Sequence, residues 1–168
     1  MKSEYSSPTL RTVPISVEKW IGISAELIKD ECSLPVQFKV NGVSMLPFIR
    51  SNRDTVTVIP LFREPRVGDV VLFRAKRLGG DYVLHRVYQV DGGKIRTLGD
   101  GCLTPDEWLS RDAFVGIAVS IQRGKKKIDC TSKKWKTISA FWLKLLPIRK
   151  FLLRFASIRI FNKVGCGA

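Results

Sequence analysis

Apolar and polar positions alternate with period two along Val36-Gln37-Phe38-Lys39-Val40, and the run stops at Asn41-Gly42, a turn signal. Thr55-Val56-Thr57-Val58-Ile59 reads as a second strand, ended by Pro60, and Asp69 to Arg74 as a third. Gly79-Gly80-Asp81 turns into Tyr82 to Val90, and Asp91-Gly92-Gly93 turns into Lys94 to Leu98. Ala113 to Ile121, interrupted by Gly116, is the last expected strand. Short strands at close spacing, joined by Gly and Asp turns, predict a mostly β fold: a small folded sheet or partly closed barrel. Two stretches break the pattern. Ser16 caps a predicted helix from Val17 to Glu31, in which Trp20, Ile23 and Leu27 share a stripe. Near the other end Trp135, Ile138, Phe141, Trp142, Leu145 and Leu146 gather on one side of a helical wheel and Lys133, Lys136 and Lys144 on the other, until Pro147 breaks the helix. The expected organisation is an N-terminal segment over 1–34, a β domain over 35–122 and a basic helical C-terminal tail over 123–168.

Charge sharpens that division. The chain has 168 residues and a formal net charge of +14. Of its 29 basic residues, 13 lie from Arg123 onward, against one acid there, Asp129. Such asymmetry points to an anionic partner. A basic amphipathic stretch with tryptophans suits the surface of an anionic membrane, expected through residues 124–163. No nucleic-acid motif accompanies the charge, so no specific nucleic acid is expected. The first residues lack the apolar core of an export signal, and no charge-free run of eighteen apolar residues exists, so a spanning helix is not expected. The expected location is cytoplasmic, at the periphery of the membrane. Cys32, Cys102, Cys130 and Cys166 have no metal-ligand spacing, and with one histidine no metal and no cofactor are expected. No disulfide framework is implied either.

The candidate chemistry lies in Gly42-Val43-Ser44-Met45-Leu46-Pro47 and Val83-Leu84-His85-Arg86-Val87. A serine hydroxyl is a poor nucleophile until an imidazole takes its proton. His85 is the only histidine, so the chain can build one such pair. Strand alternation puts Val83, His85 and Val87 on one face and Leu84, Arg86 and Tyr88 on the other. His85 would therefore be shielded from bulk water between two valines.

Together with Val67-Gly68-Asp69-Val70-Val71, Leu98-Gly99-Asp100-Gly101 and Asp112-Ala113-Phe114-Val115-Gly116, these motifs come in one order at compact spacing. Over about residues 36–122 the series resembles the catalytic core of the S24/S26 serine peptidases, and within them the Ser-His branch of the type I signal peptidases. The resemblance implies a serine endopeptidase that cleaves leader or signal-type peptides, with Ser44 as nucleophile, its own N–H as oxyanion donor and His85 as general base. It also implies a carboxylate behind His85. Asp100 resembles the acid of the family's Gly-Asp-Asn box, although Gly101 stands where Asn is common. Asp106 lies at the offset where the Ser-His branch carries a second acid, and Asp112 is a weaker third option. Met45 and Gly42 are the expected substrate-binding positions, beside an extended peptide or preprotein with small residues at the cut. Two other readings compete: a catalytically inactive peptide-binding or membrane-tethered module on the same fold, and a self-processing repressor, for which the residues before the core leave little room.

Overall fold

A computed structural model describes residues 35–75 and 82–155. The expected N-terminal helix, the Gly79-Gly80-Asp81 turn and the end of the basic tail lie outside the described residues. Within them the chain forms β1 (Val36–Lys39), β2 (Asp54–Pro60), β3 (Val70–Arg74), β4 (Tyr82–Asp91), β5 (Lys94–Leu98), β6 (Trp108–Ser110), β7 (Phe114–Arg123) and β8 (Lys126–Asp129). Two helices follow, α1 (Lys133–Lys144) and α2 (Arg149–Phe155), joined by a 3-10 turn over Leu146–Ile148 that contains Pro147.

All pairings are antiparallel, in the order β1-β2-β7-β3-β4-β5-β6. The sheet therefore runs from one edge at β1 to another at β6 and is not closed into a barrel, which corrects the partly closed alternative. β7 organises it. One edge pairs with β2 from Gly116 to Arg123. The other pairs with β3 near its start and with β8 near its end. Strands β6 and β8 had no sequence expectation: three and four residues long, with mostly exposed side chains, they carry no alternating apolar signal.

Apolar side chains fill both faces of the sheet. Val70, Leu72 and Leu84 join one cluster with Met45, Val56, Ile121 and Trp135. Val71, Phe73 and Val87 join the other with Ile95, Phe114 and Ile117. Central strands buried on both sides read as continuous apolar runs, as Val70-Val71-Leu72-Phe73 does.

The expected boundary at 122 falls inside β7, and the segment that follows is not a separate tail as far as it is described. It pairs β8 with β7, buries Cys130, and inserts Trp135 into the first core cluster. Ser132 caps α1 by accepting from the Trp135 N–H. The stripe facing the body is Trp135, Ser139 and Trp142, while Ile138 and Phe141 face outward. The apolar arc of the helical wheel is thus split between the core and the surface. None of the helices among the described residues is long and apolar enough to cross a membrane.

One ion cluster pins the long connection between β1 and β2. The buried Asp54 carboxylate accepts from Arg53, from Arg123 on β7 and from the Arg50 N–H, and Arg123 also donates to the Phe48 carbonyl. Burial pushes the Asp54 carboxyl up, but those hydrogen bonds outweigh it and hold the group well below the usual carboxylate range. A folded-state pKa below the unfolded value means stability present above 3.8 and lost as pH falls from there toward the folded value. Asp54→Asn is expected to lower stability by about 1–3 kcal/mol at neutral pH. Urea denaturation should show the gap between wild type and variant narrowing as pH drops below 3.8.

Candidate active site

Ser44 sits in the connection between β1 and β2, which leaves the sheet at Asn41-Gly42. Gly42 adopts a φ of 96°, in the left-handed region that glycine tolerates, and its N–H donates to Asn41 Oδ1. The Leu46 and Ile49 N–H groups then turn the chain back onto the carbonyls of Val43 and Met45. Ser44 is half-buried on this turn. Neither its hydroxyl nor its N–H has a hydrogen-bond partner among the described residues. Its carbonyl, by contrast, is held at 2.7 Å by the Gly101 N–H.

His85 lies in the middle of β4, flanked by Val71 on β3. It is buried, with its ring 5.9 Å from that of Phe73. Nδ1 lies 2.7 Å from Asp106 Oδ2, an oxygen that also accepts from the Thr97 hydroxyl. A carboxylate oxygen that accepts from Thr97 also accepts from the ring, which puts a proton on Nδ1, so in the neutral ring Nε2 is the nitrogen that carries the lone pair. Asp106 is itself fixed by its backbone: its N–H donates to the Thr97 carbonyl, and its carbonyl accepts from Arg96.

Gly99 brings the two halves together. β5 pairs Leu98 with Arg86, so the next residue arrives beside His85. A Cβ on Gly99 would stand 2.7 Å from the Ser44 carbonyl oxygen and 3.1 Å from His85 Nε2. The backbone of the serine and the free nitrogen of the imidazole therefore meet over one glycine Cα, and any side chain there would separate them. The structure contains no direct hydrogen bond between Ser44 Oγ and His85; what it establishes is this shared floor.

Asp100 does not hold His85. Both its oxygens accept from Arg86, Oδ1 from Nε and Oδ2 from Nη2, each at 2.7 Å. Alternation is the physical reason: Arg86 points to the opposite face of β4 from His85, and Asp100 is on that face. Asp112 is exposed and accepts from the Ser110 hydroxyl, with no link to His85. Met45, an expected substrate-binding position, is 2% exposed and packs in the core. Gly42 lies on the open side of Ser44, where a Cβ would meet nothing within 4 Å.

The cysteines offer no competing thiol nucleophile among the described residues. Burial pushes the Cys130 thiol up to about 12, with Arg86 opposing. Cys102 is disulfide-bonded, although the cysteine spacing implied no disulfide framework; Cys130, the other described cysteine, is free. Among the described residues no group of three or more His, Cys, Asp and Glu side chains is placed to hold a metal ion.

Sequence reasoning missed three contributors: Thr97, Gly99 as a floor, and the Gly101 N–H. Gly99 and Gly101 flank Asp100 in the sequence, and that pair of glycines was the available signal.

No protein-family model matches the chain, and no curated protein matches it.

Because the chain has one histidine, its ring nitrogens give an isolated pair of 15N resonances. These are expected to report an Nδ1–H tautomer in the wild type, and mixed tautomers in Asp106→Asn, whose amide can donate as well as accept.

Proposed function

We propose that the protein is a serine endopeptidase of the signal-peptidase type, acting on leader or signal-type peptides, with Ser44, His85 and Asp106 as its catalytic residues. The observation that carries this reading is the convergence of the Ser44 backbone and His85 Nε2 on Gly99, with Asp106 behind the ring. Ser44 Oγ attacks the peptide carbonyl while Nε2 takes its proton. The Ser44 N–H, which has no hydrogen-bond partner among the described residues, donates to the developing oxyanion. As the C–N bond breaks, His85 returns the proton to the leaving amine. It then removes one from water, which hydrolyses the acyl-enzyme. Asp106 keeps the tautomer correct and stabilises the imidazolium. Buried Phe73 and the valines beside His85 exclude water, so each of these charges acts in a low dielectric.

Digestion of an internally quenched peptide library tests this. Ser44→Ala and His85→Ala should each abolish turnover, and Asp106→Asn should lower kcat by about 10²–10⁴-fold. Cleavage at the wild-type rate by folded Ser44→Ala removes the reading. Tight peptide binding without cleavage by the wild type points to a binding module on the same fold.

The proposed anchor is an anionic membrane surface, contacted through the outward side of the C-terminal helices. Phe141 and Phe151 are each 62% exposed there, Ile148 and Leu152 are exposed on the same helical unit, and Lys144 and Lys150 are exposed as well. Exposed aromatics beside lysines match both the apolar and the charged layers of such a surface. Replacing Phe141 and Phe151 together by Ala should weaken co-sedimentation with phosphatidylserine vesicles by about tenfold or more. Unchanged binding would reject these residues as the contact.

A further inference from the structure

The loop from β5 to β6 supplies most of the candidate site. Gly99 forms its floor, the Gly101 N–H holds Ser44, and Asp106 holds His85. The carbonyls of the same loop are received by the C-terminal helices. Trp142 on α1 donates its indole N–H to the Asp100 carbonyl at 3.1 Å. Arg149, at the start of α2, donates through Nη1 to the carbonyls of Gly99 and Cys102, at 3.4 and 3.3 Å. Its Nη2 donates to the Trp142 carbonyl, and its guanidinium lies 5.0 Å from the Trp142 ring.

Arg149 is fully buried and makes no salt bridge to a carboxylate among the described residues. Asp100, the acid that acts on it electrostatically, has both oxygens on Arg86, and Arg149 Nε has no partner among the described residues. Burial draws the guanidinium below its ordinary value, with Asp100 opposing. An arginine in this setting is a costly way to fill space. A planar fork can instead grip carbonyls of two separate backbone stretches in a fixed geometry, which an aliphatic cannot do and an ammonium, a point charge on a flexible stem, does not impose. The same helices also touch the nucleophile loop: Phe48 packs edge-on against Trp135 and Trp142, with ring centroids 5.8 and 5.3 Å apart. α1 and α2 therefore rest on both loops that must meet at Gly99.

We propose that Arg149 is a positioning residue: with Trp142 it holds the Gly99–Cys102 carbonyls so that the Gly99 floor and the Gly101 N–H keep Ser44 and His85 in register. The C-terminal helices are then part of the working site. This rests on the Ser44–His85 reading for its effect on rate, but not for its effect on geometry.

Two measurements separate those layers. The first is amide hydrogen exchange at Gly101, whose N–H is bonded to the Ser44 carbonyl. Exchange should speed up by about tenfold or more in Arg149→Met, relative to the core strands β3 and β7 in the same molecule. The second is turnover of the quenched peptide library. There kcat should fall by about tenfold or more with KM nearly unchanged, since the residue acts on the reacting geometry and not on the substrate. Arg149→Lys, which retains charge without the fork, should recover only part of either effect, and Trp142→Phe should give a milder version of both. Where Arg149→Met does not fold, Arg149→Lys and Trp142→Phe carry the test. Gly101 protection equal to wild type in the folded variants overturns the proposal, whether or not the protein cleaves peptides. Faster exchange with no Ser44-dependent cleavage in the wild type keeps the positioning role and removes only the proteolytic reading.

Discussion

Ser44 and His85 are 41 positions apart in the chain, and what joins them is the bare Cα of Gly99. The serine carbonyl and the imidazole Nε2 crowd the space that any other residue would need for its Cβ. The 2.7 Å hydrogen bond from Gly101 to the Ser44 carbonyl locks that approach. Two loops from different parts of the sheet are thereby tied at one point. The remaining features of the site secure one loop or the other: Asp54 and Arg123 the Ser44 loop, Thr97 and Arg96 the Asp106 loop.

β4 then separates two electrostatic tasks by the alternation of its side chains. His85 looks toward Phe73 and Asp106 and is buried there. Arg86, the next residue, looks the other way. There its guanidinium lies beside the rings of Phe48 and Trp135, binds Asp100 with two hydrogen bonds, and reaches Ser139 on α1 and the Gly68 carbonyl. Burying a cation costs less when its donors are satisfied, and each guanidinium nitrogen of Arg86 has a partner. Exchanging the roles of the two acids would require a one-residue slip of β4, which turns every side chain of the strand to the opposite face.

The C-terminal helices have two faces with different work. Inward, Trp135, Ser139, Trp142 and Arg149 contact the core and the loops of the site. Outward, Phe141, Ile148 and Phe151 stand in solvent beside lysines. An exposed apolar face and a face that contacts the loops around Gly99 share one short, two-helix unit. Whatever displaces that unit acts on the carbonyls under Gly99 as well.

Local periodicity determined much from the residues alone. The six longer or strongly apolar strands, the shielding of His85 by its strand neighbours, the helix after Ser132 and its break at Pro147 follow from interactions within a few residues of one another. That His85 is the one imidazole available to Ser44 was also legible, and the structure brings the Ser44 carbonyl and the ring to the same glycine. Tertiary structure decided what depends on the path of a loop or on the packing partner of a face. Asp100 and Asp106 are equivalent on paper, and only the two faces of β4 tell them apart. Met45 beside the serine, and Trp142 beside Phe141, each look apolar in sequence, yet burial goes to Met45 and largely to Trp142 while Phe141 stays outside. The short strands β6 and β8 exist because β5 and β7 present edges to pair with. Hydrogen bonds and burial of this kind are made between residues distant in the chain, and no local pattern encodes them.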